Sequence, residues 1–304
     1  MPIAPRSYRR AVVALLAAAL VSPAAVAQDN EQPIKKDVPY VPTPQELVEK
    51  MIEVAKVTEK DTVYDLGCGD GRMVVTAAKK HGARGIGVDI DPERIREANA
   101  NAKEAGVTDR VKFIQADLFT MDFKEADVLL MYLLPSVNVK LRPKILELKP
   151  GTRIVSHAFD MGDWEADDTI EVDGRTAYFW LVPAKVDGQW QATLKEGGQQ
   201  KQATLNLKQQ YQQVTGTAEI DGKQVQIKDA KLKGDQLTLA LDGNKTYTVR
   251  VDGANMQEVA KGQGANGDAQ TASFTAKRQG GAQDQKQGQQ QEQRQRAPAA
   301  AGSN

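Results

Sequence analysis

Three closely spaced glycines form the first pattern in the chain that could do chemistry. Residues 65–71 read D-L-G-C-G-D-G and begin with the last two residues of the apolar segment 62–66. Glycines at such a strand-to-helix turn, here Gly67, Gly69 and Gly71, let the backbone approach a bound nucleotide closely. Their spacing departs from the dinucleotide fingerprint G-x-G-x-x-G because the third glycine comes one residue early, and the phosphate-binding pattern G-x-x-x-x-G-K-[ST] does not occur.

Two further acids extend this pattern along the chain. Asp89 ends the next apolar segment, about 20 residues after the glycines, where a carboxylate can accept hydrogen bonds from both hydroxyls of a ribose. Asp117 follows the third apolar segment, a position from which it could meet the edge of an adenine. We therefore predict that the loop and the two acids bind an adenine nucleoside.

The elements that position these residues alternate between strand and helix. Apolar segments typical of buried strands lie at 62–66, 85–90, 111–115, 128–132 and 153–157. Helical segments are predicted at 73–80, 92–105 and 139–148. This alternation predicts an α/β fold, a parallel sheet covered by helices on both faces. The last two strands, at 169–172 and 177–182, read as an antiparallel hairpin through Asp173-Gly174.

A further helix is predicted ahead of the first strand. Thr43-Pro44-Gln45-Glu46 fits a capping box, with Thr43 as N-cap, Pro44 at the first helical position and Glu46 at the third. Apolar residues recur at helical spacing after it.

Residues 65–71, Asp89 and Asp117 together resemble the three cofactor motifs of class I S-adenosylmethionine-dependent methyltransferases. The resemblance covers about residues 38–184, including the terminal hairpin. It implies a Rossmann-like sheet of seven strands and S-adenosylmethionine as cofactor. Asp65 would anchor the glycine loop or bind the methionine ammonium through water.

The same resemblance implies a role for the other positions. The backbone of Gly67 and Gly69 would pass beneath the methionine moiety. Asp89 would hold the ribose, Ile90 would flank the adenine, and Asp117 would bond the adenine amino group.

A narrower likeness rests on short sequences around the same site. Tyr40-Val41-Pro42-Thr43, residues 65–72 and Tyr132-Leu133-Leu134-Pro135 are similar to those of one group of protein-lysine N-methyltransferases. That group acts on the adenine nucleotide translocase and the ATP synthase c-subunit. The likeness implies that Tyr40 and Thr43 lie over the cofactor and that a lysine amine accepts the methyl group. A signal-like N-terminus and a long β-rich extension depart from the group, so the mitochondrial substrates are left out of consideration.

Two side chains at predicted strand ends could act on the acceptor. Tyr132 lies at the carboxyl end of the predicted fourth strand, where the ligand crevice of an open α/β sheet lies, and could line the acceptor channel or accept a hydrogen bond from the amine. His157 ends the fifth strand and could be a general base, because its unperturbed pKa is near neutrality. The alternative is a structural histidine bonded to a neighbouring acid. Many methyltransferases have Asn/Asp-Pro-Pro-Tyr after strand four, and its absence here argues against amide or adenine-amine methylation.

The composition changes three times along the chain. Residues 1–27 have a basic start, a short apolar run and an A-x-A site, the layout of a secretory signal peptide. Residues 28–184 hold the predicted methyltransferase domain. Residues 185–278 alternate polar and apolar between Asp-Gly pairs, which predicts an antiparallel barrel or sandwich of about eight strands. Residues 279–304 are rich in Gln and read as a disordered tail.

Composition also excludes several classes of protein. The formal net charge is +0, which argues against broad nucleic-acid binding. One cysteine and two histidines argue against a disulfide framework and a metal centre. We expect an exported periplasmic or envelope methyltransferase acting on a protein lysine, held at the membrane if its signal is not cleaved. The alternatives are a methyltransferase for a quinone or lipid precursor and a non-enzymatic nucleotide-binding envelope protein.

Overall fold

A computed structural model describes residues 38–196, 199–241, 245–259 and 273–280. The predicted signal peptide and nearly all of the predicted tail lie outside these ranges, as does the Asp242-Gly243 pair. Among the described residues, no helix is both long enough and apolar enough to cross a membrane.

Residues 38–181 form one mixed sheet with four helices. The helices are α1 (Gln45–Val54), α2 (Arg72–His81), α3 (Pro92–Ala105) and α4 (Pro135–Ile145). The strands are β1 (Thr62–Leu66), β2 (Arg84–Asp89), β3 (Val111–Gln115), β4 (Val128–Met131), β5 (Arg153–His157), β6 (Asp168–Val172) and β7 (Arg175–Leu181). They pair in the order β3-β2-β1-β4-β5-β7-β6, and β7 runs antiparallel to both of its neighbours. The predicted α/β fold with a terminal hairpin is confirmed.

Helices cover both faces of the sheet. Successive residues of a strand point to opposite faces, so a central strand such as β4 contributes to both apolar clusters. Val128 and Leu130 of β4 belong to the apolar cluster formed with α1 and α2. Leu129 and Met131 belong to the cluster formed with α4. Burial on both sides explains why β4 is an unbroken apolar run.

The strand order reverses between β1 and β4, and this reversal creates the site. Strands β2 and β4 flank β1 on opposite sides, so the loops after β1 and β4 diverge and leave a crevice at the carboxyl edge. Asp89, Tyr132 and His157 end or follow strands at this edge, as predicted.

Two predicted helix starts are wrong. Helix α1 begins at Gln45 with Pro44 as N-cap, and no side chain caps it, because the Thr43 hydroxyl bonds to His157 instead. Helix α4 spans Pro135–Ile145 rather than 139–148. Proline suits the first helical turn, since its fixed φ matches the helix and its missing N–H is not needed there.

The second part of the chain is a closed antiparallel barrel. Its strands are β8 (Gly188–Glu196), β9 (Gln199–Gln210), β10 (Gln213–Ile220), β11 (Lys223–Lys233), β12 (Gln236–Leu241), β13 (Lys245–Asp252), β14 (Asn255–Glu258) and β15 (Ser273–Arg278). The strands pair in the order β10-β11-β12-β13-β14-β15-β8-β9, and this order closes on itself. Of the two architectures that the sequence left open, the domain is therefore a barrel and not a sandwich. Asp221 and Gly222 form a two-residue hairpin with φ of 50° and 75°, as their sequence predicts.

The interior of the barrel is filled by its own side chains. Trp190, Leu205, Leu239, Val249 and Phe274 are fully buried members of one continuous apolar cluster. Inward apolar and outward polar residues alternate along the strands, as in β12 and β9.

Candidate active site

The glycine loop after β1 folds back on β2. The amides of Gly67 and Cys68 both donate to the carbonyl of Val88, at 2.8 and 3.0 Å. A Cβ on Gly67 would lie 2.7 Å from the side chain of Leu133. A Cβ on Gly69 would lie 2.4 Å from the ring of Tyr40. Only glycine fits at these two positions, so Leu133 and Tyr40 pack directly against the backbone of the loop.

The two acids flanking this loop differ in their surroundings. Asp89 accepts hydrogen bonds from the amides of Gly69 and Asp91, both at 2.9 Å, which orient its half-buried carboxylate. Asp65 is buried, and no described residue donates a hydrogen bond to it. Burial, with Asp89 and Asp70 nearby, raises the pKa of Asp65 well above its usual range. A cationic group bound close to this acid would favour its charged form and so offset the cost of its burial.

Tyr40 covers the opposite side of the glycine loop. Its ring lies against Gly69, and the guanidinium of Arg94 stands 4.6 Å from the ring centroid. Arg72 pairs with Asp70 and donates to the carbonyl of Thr43 at 2.9 Å. The segment before α1 is therefore tied to the start of α2, which brings Tyr40 and Thr43 to the site.

A compact polar and aromatic group occupies the ends of β4 and β5. The Thr43 hydroxyl lies 2.9 Å from Nδ1 of His157 in a buried contact. The rings of Tyr132 and His157 have centroids 3.9 Å apart with 37° between their planes. The ring of Phe159 also stacks with Tyr132, with 6.3 Å between the two centroids. Burial, and then the charge of Arg175, lowers the pKa of His157 to about 4, so the imidazole is neutral at pH 7.

Asn138 fixes the backbone that follows His157. This asparagine is fully buried in α4, and its Nδ2 lies 3.2 Å from Oγ of Ser156. The same amide donates to the carbonyls of Phe159 and Asp160 at 3.2 and 3.0 Å. Sequence reasoning missed Asn138; a polar residue at an inward position of a helix otherwise lined by apolar residues was the available signal.

The remaining predicted positions lie along the same edge. Ile90 is half-buried after β2, where its carbonyl accepts from Gln115 at 3.4 Å. Asp117 is exposed after β3, and its carboxylate accepts from the amide of Phe119 at 2.8 Å. Strands β2 and β3 pair up to Asp89 and Gln115, so Ile90 and Asp117 follow neighbouring strand ends.

Cys68 is a packing residue within the loop. It is buried, and a Cβ on Gly87 would lie 2.9 Å from its sulfur. Burial, with Asp65 and Asp89 nearby, raises the pKa of the thiol, which disfavours the nucleophilic thiolate.

Fold and site together define a class I methyltransferase, and comparison with known proteins supplies the family. A family model described as "ANTKMT methyltransferase domain" matches residues 65–168. A protein-lysine N-methyltransferase of Saccharolobus islandicus is 48% identical over 151 residues, covering 48% of this chain and 94% of that protein. The ATP synthase c-subunit lysine N-methyltransferase of Mus musculus is 29% identical over 161 residues, or 52% of this chain and 64% of that protein.

One solved structure extends the comparison. An RNA methyltransferase from Salinibacter ruber, in complex with S-adenosyl-L-homocysteine, is 55% identical. It aligns over 48% of this chain and 96% of its own length, with a TM-score of 0.47.

The chain belongs to the S-adenosylmethionine-dependent protein-lysine N-methyltransferase family. It is a methyltransferase, and S-adenosylmethionine is its cofactor. Both resemblances found in the sequence are confirmed, and the non-enzymatic alternative is set aside. The described residues fit the cofactor, since the loop tolerates no side chain at Gly67 and Gly69 and the Asp89 carboxylate is held at the end of β2.

Proposed function

We propose that this enzyme methylates the side-chain amine of a protein lysine. The observation that carries the proposal is the uncharged aromatic group at the ends of β4 and β5, formed by Tyr132, His157 and Phe159. Aromatic rings favour a cationic side chain at their faces, while partial burial lowers the pKa of an amine and so releases its lone pair. The 48% identity to the protein-lysine N-methyltransferase of Saccharolobus islandicus supports the same acceptor.

On this proposal the cofactor occupies the crevice between the glycine loop and the segment before α1. Gly67, Gly69 and Gly71 supply the close backbone, and Asp65 faces the methionine ammonium directly or through water. When bound, S-adenosylmethionine supplies an electrophilic methyl group on a sulfonium. Tyr40 covers this side of the site.

The nucleoside half of the cofactor is assigned to the ends of β2 and β3. Asp89 accepts hydrogen bonds from the ribose, Ile90 packs on the adenine, and Asp117 bonds its amino group. Thr43 lies on the same segment as Tyr40, and its hydroxyl is hydrogen-bonded to His157.

The acceptor side works by alignment and exclusion of water rather than by strong base catalysis. A histidine with a pKa of about 4 is a weak base, so we assign His157 to holding the Tyr132 ring and the Thr43 hydroxyl in place. The Tyr132 hydroxyl accepts a hydrogen bond from the incoming amine, which has lost its proton to solvent. Correct placement of the amine against the methyl group supplies the main acceleration.

Exposed carboxylates beside this group suit a basic protein acceptor. Asp160 and Glu165 are exposed on the segment that continues from Phe159, whereas the charge of Asp163 is paired with Arg142. Exposed negative charge attracts lysine-rich protein surfaces and raises the rate at which they associate with the enzyme.

The test uses the full chain, methyl-labelled S-adenosylmethionine and two acceptor pools. Poly-L-lysine and a cell-envelope protein fraction should take up label that acid hydrolysis recovers as methyl-lysine. Label that instead partitions into organic solvent with quinones or lipids would establish the small-molecule alternative. Asp89→Ala is the inactive control in either case.

We propose export on the sequence of residues 1–27 alone. The arginines, the apolar run and the A-x-A site at Ala25 to Ala27 support a cleaved signal. Mass spectrometry of the mature N-terminus tests this. A start at Gln28 supports a periplasmic enzyme that must receive its donor there, whereas an intact N-terminus supports a membrane anchor.

A further inference from the structure

A turn of the barrel rests on the segment that follows His157. Tyr211, between β9 and β10, donates from its hydroxyl to Asp163 at 3.0 Å. Its ring stacks on Trp164, with centroids 5.9 Å apart and 16° between the planes. The guanidinium of Arg142 lies 5.4 Å from the centroid of the Tyr211 ring and also pairs with Asp163. One barrel side chain therefore contacts both this segment and helix α4.

The backbone of this turn is unfavourable for tyrosine. Gln210 pairs with Gln213 across a two-residue connection, and Tyr211 has a φ of 53°. Glycine or asparagine is the usual residue in this left-handed region, because a Cβ crowds the following carbonyl there. The contacts of the Tyr211 side chain must outweigh that strain.

Neighbouring groups extend the contact along the same segment. Gln212 donates to the carbonyl of Glu165 at 2.7 Å, and Gln213 donates to its carboxylate at 3.3 Å. Trp164 is fully buried, and its carbonyl accepts from the indole of Trp180 at 3.0 Å. The stretch 163–165 is thus held between the barrel turn and strand β7.

The other end of this short segment lies in the acceptor site. Phe159 stacks near Tyr132, and Asn138 holds the carbonyls of Phe159 and Asp160. Only a few residues, with Gly162 at a φ of 70°, separate the aromatic contact from the barrel contact. In so short a segment, a displacement of residues 163–165 also displaces Phe159.

We propose that Tyr211 is a positioning residue for methyl transfer, through which the barrel holds segment 159–165 so that Phe159 stays against Tyr132. The family match ends at residue 168, so this contact comes from the part of the chain beyond it. The inference rests on the proposed acceptor site at Tyr132 and Phe159. It gives the barrel a role in catalysis without requiring it to bind a ligand.

The experiment compares Tyr211→Gly with Asp221→Gly in the full chain. Both replace a residue of positive φ in a two-residue barrel hairpin, and only Tyr211 touches segment 159–165. We expect Tyr211→Gly to speed amide hydrogen exchange in 159–165 by about tenfold or more. Its KM for poly-L-lysine should rise about three- to tenfold, because the acceptor site is less well ordered. Affinity for S-adenosylhomocysteine should stay within about twofold of wild type, since the cofactor side is untouched.

Each result decides for or against the proposal. Unchanged exchange in 159–165, or a change that Asp221→Gly reproduces, overturns it, as does an equal loss of S-adenosylhomocysteine affinity. Amide hydrogen exchange is measured without any methyl acceptor. Inactivity of the wild type on poly-L-lysine would therefore count against the proposed lysine acceptor, but the exchange comparison would still test the role of Tyr211. If Tyr211→Gly does not fold, Tyr211→Phe keeps the ring and loses only the bond to Asp163. It should then show a smaller rise in exchange in the same segment, and no rise would overturn the proposal.

Discussion

The hydroxyl of Thr43 lies 2.9 Å from Nδ1 of His157, although 114 residues of sequence separate them. Both side chains are buried, so neither has ready access to water as a substitute partner. This bond joins the segment that carries Tyr40, on the cofactor side, to the strand end that carries the acceptor group. One hydroxyl therefore connects the two halves of the site.

Replacing Thr43 by valine should destabilise the protein by about 1–3 kcal/mol, because it leaves a buried imidazole nitrogen without a partner while keeping the side-chain volume. Urea unfolding of the full chain measures this. Thr43→Ser keeps the hydroxyl and is the matched control, with an expected loss well below that of valine. Equal stability of the valine variant and wild type would show that the bond contributes nothing.

The Thr43 contact also shows why part of the site could not be predicted from the sequence. Thr43, Pro44 and Glu46 fit a capping box, which depends only on neighbours in sequence. In the folded chain a buried histidine from β5 takes the hydroxyl instead. Asn138 was missed for the same reason, since its partners Ser156 and Phe159 reach it only after α4 packs on the sheet.

Features that depend on local pattern were predictable. The bounds of β1, β3 and β5 were predicted to the residue. Strands β1 and β5 are buried along almost their whole length, whereas β3 exposes Lys112 and Gln115. The family motifs then identified the cofactor. Closure of the barrel was not predictable, because it requires β8 to pair with β15, the last strand of the domain.

Stability should depend on pH through His157. Its folded pKa of about 4 lies below the ordinary value of about 6.5, so the unfolded chain binds the proton more tightly. The stabilisation is present in full above pH 6.5 and is lost as pH falls from about 6.5 to about 4. His157→Gln cannot titrate, so the stability advantage of wild type over this variant should shrink across that window. A constant difference in urea-unfolding free energy between pH 7 and pH 4 would contradict the burial-lowered pKa.

Gly69→Ala should disrupt the cofactor side. The new Cβ would lie 2.4 Å from the Tyr40 ring, so either the ring or the loop must move. We expect affinity for S-adenosylhomocysteine, measured by calorimetry, to fall about tenfold or more. Gly106→Ala is the matched control, because Gly106 also has a positive φ, of 72°, but nothing lies within 4 Å of the added carbon. Both variants carry left-handed strain of about 1 kcal/mol, so a loss of affinity shared by both would point to strain rather than to the clash.

The role assigned to Asp89 is tested by the conservative change Asp89→Asn. The carboxylate uses its two oxygens to accept from the amides of Gly69 and Asp91, and ribose hydroxyls would share the same oxygens. An amide group offers one acceptor in place of two and removes the charge, so each lost charge-assisted bond costs about 1.5–3 kcal/mol. We expect the calorimetric affinity for S-adenosylhomocysteine to fall about ten- to hundredfold. Asp109→Asn changes an exposed acid in the turn before β3 and should leave affinity at the wild-type value. If Asp89→Asn also binds within twofold of wild type, the ribose is held elsewhere.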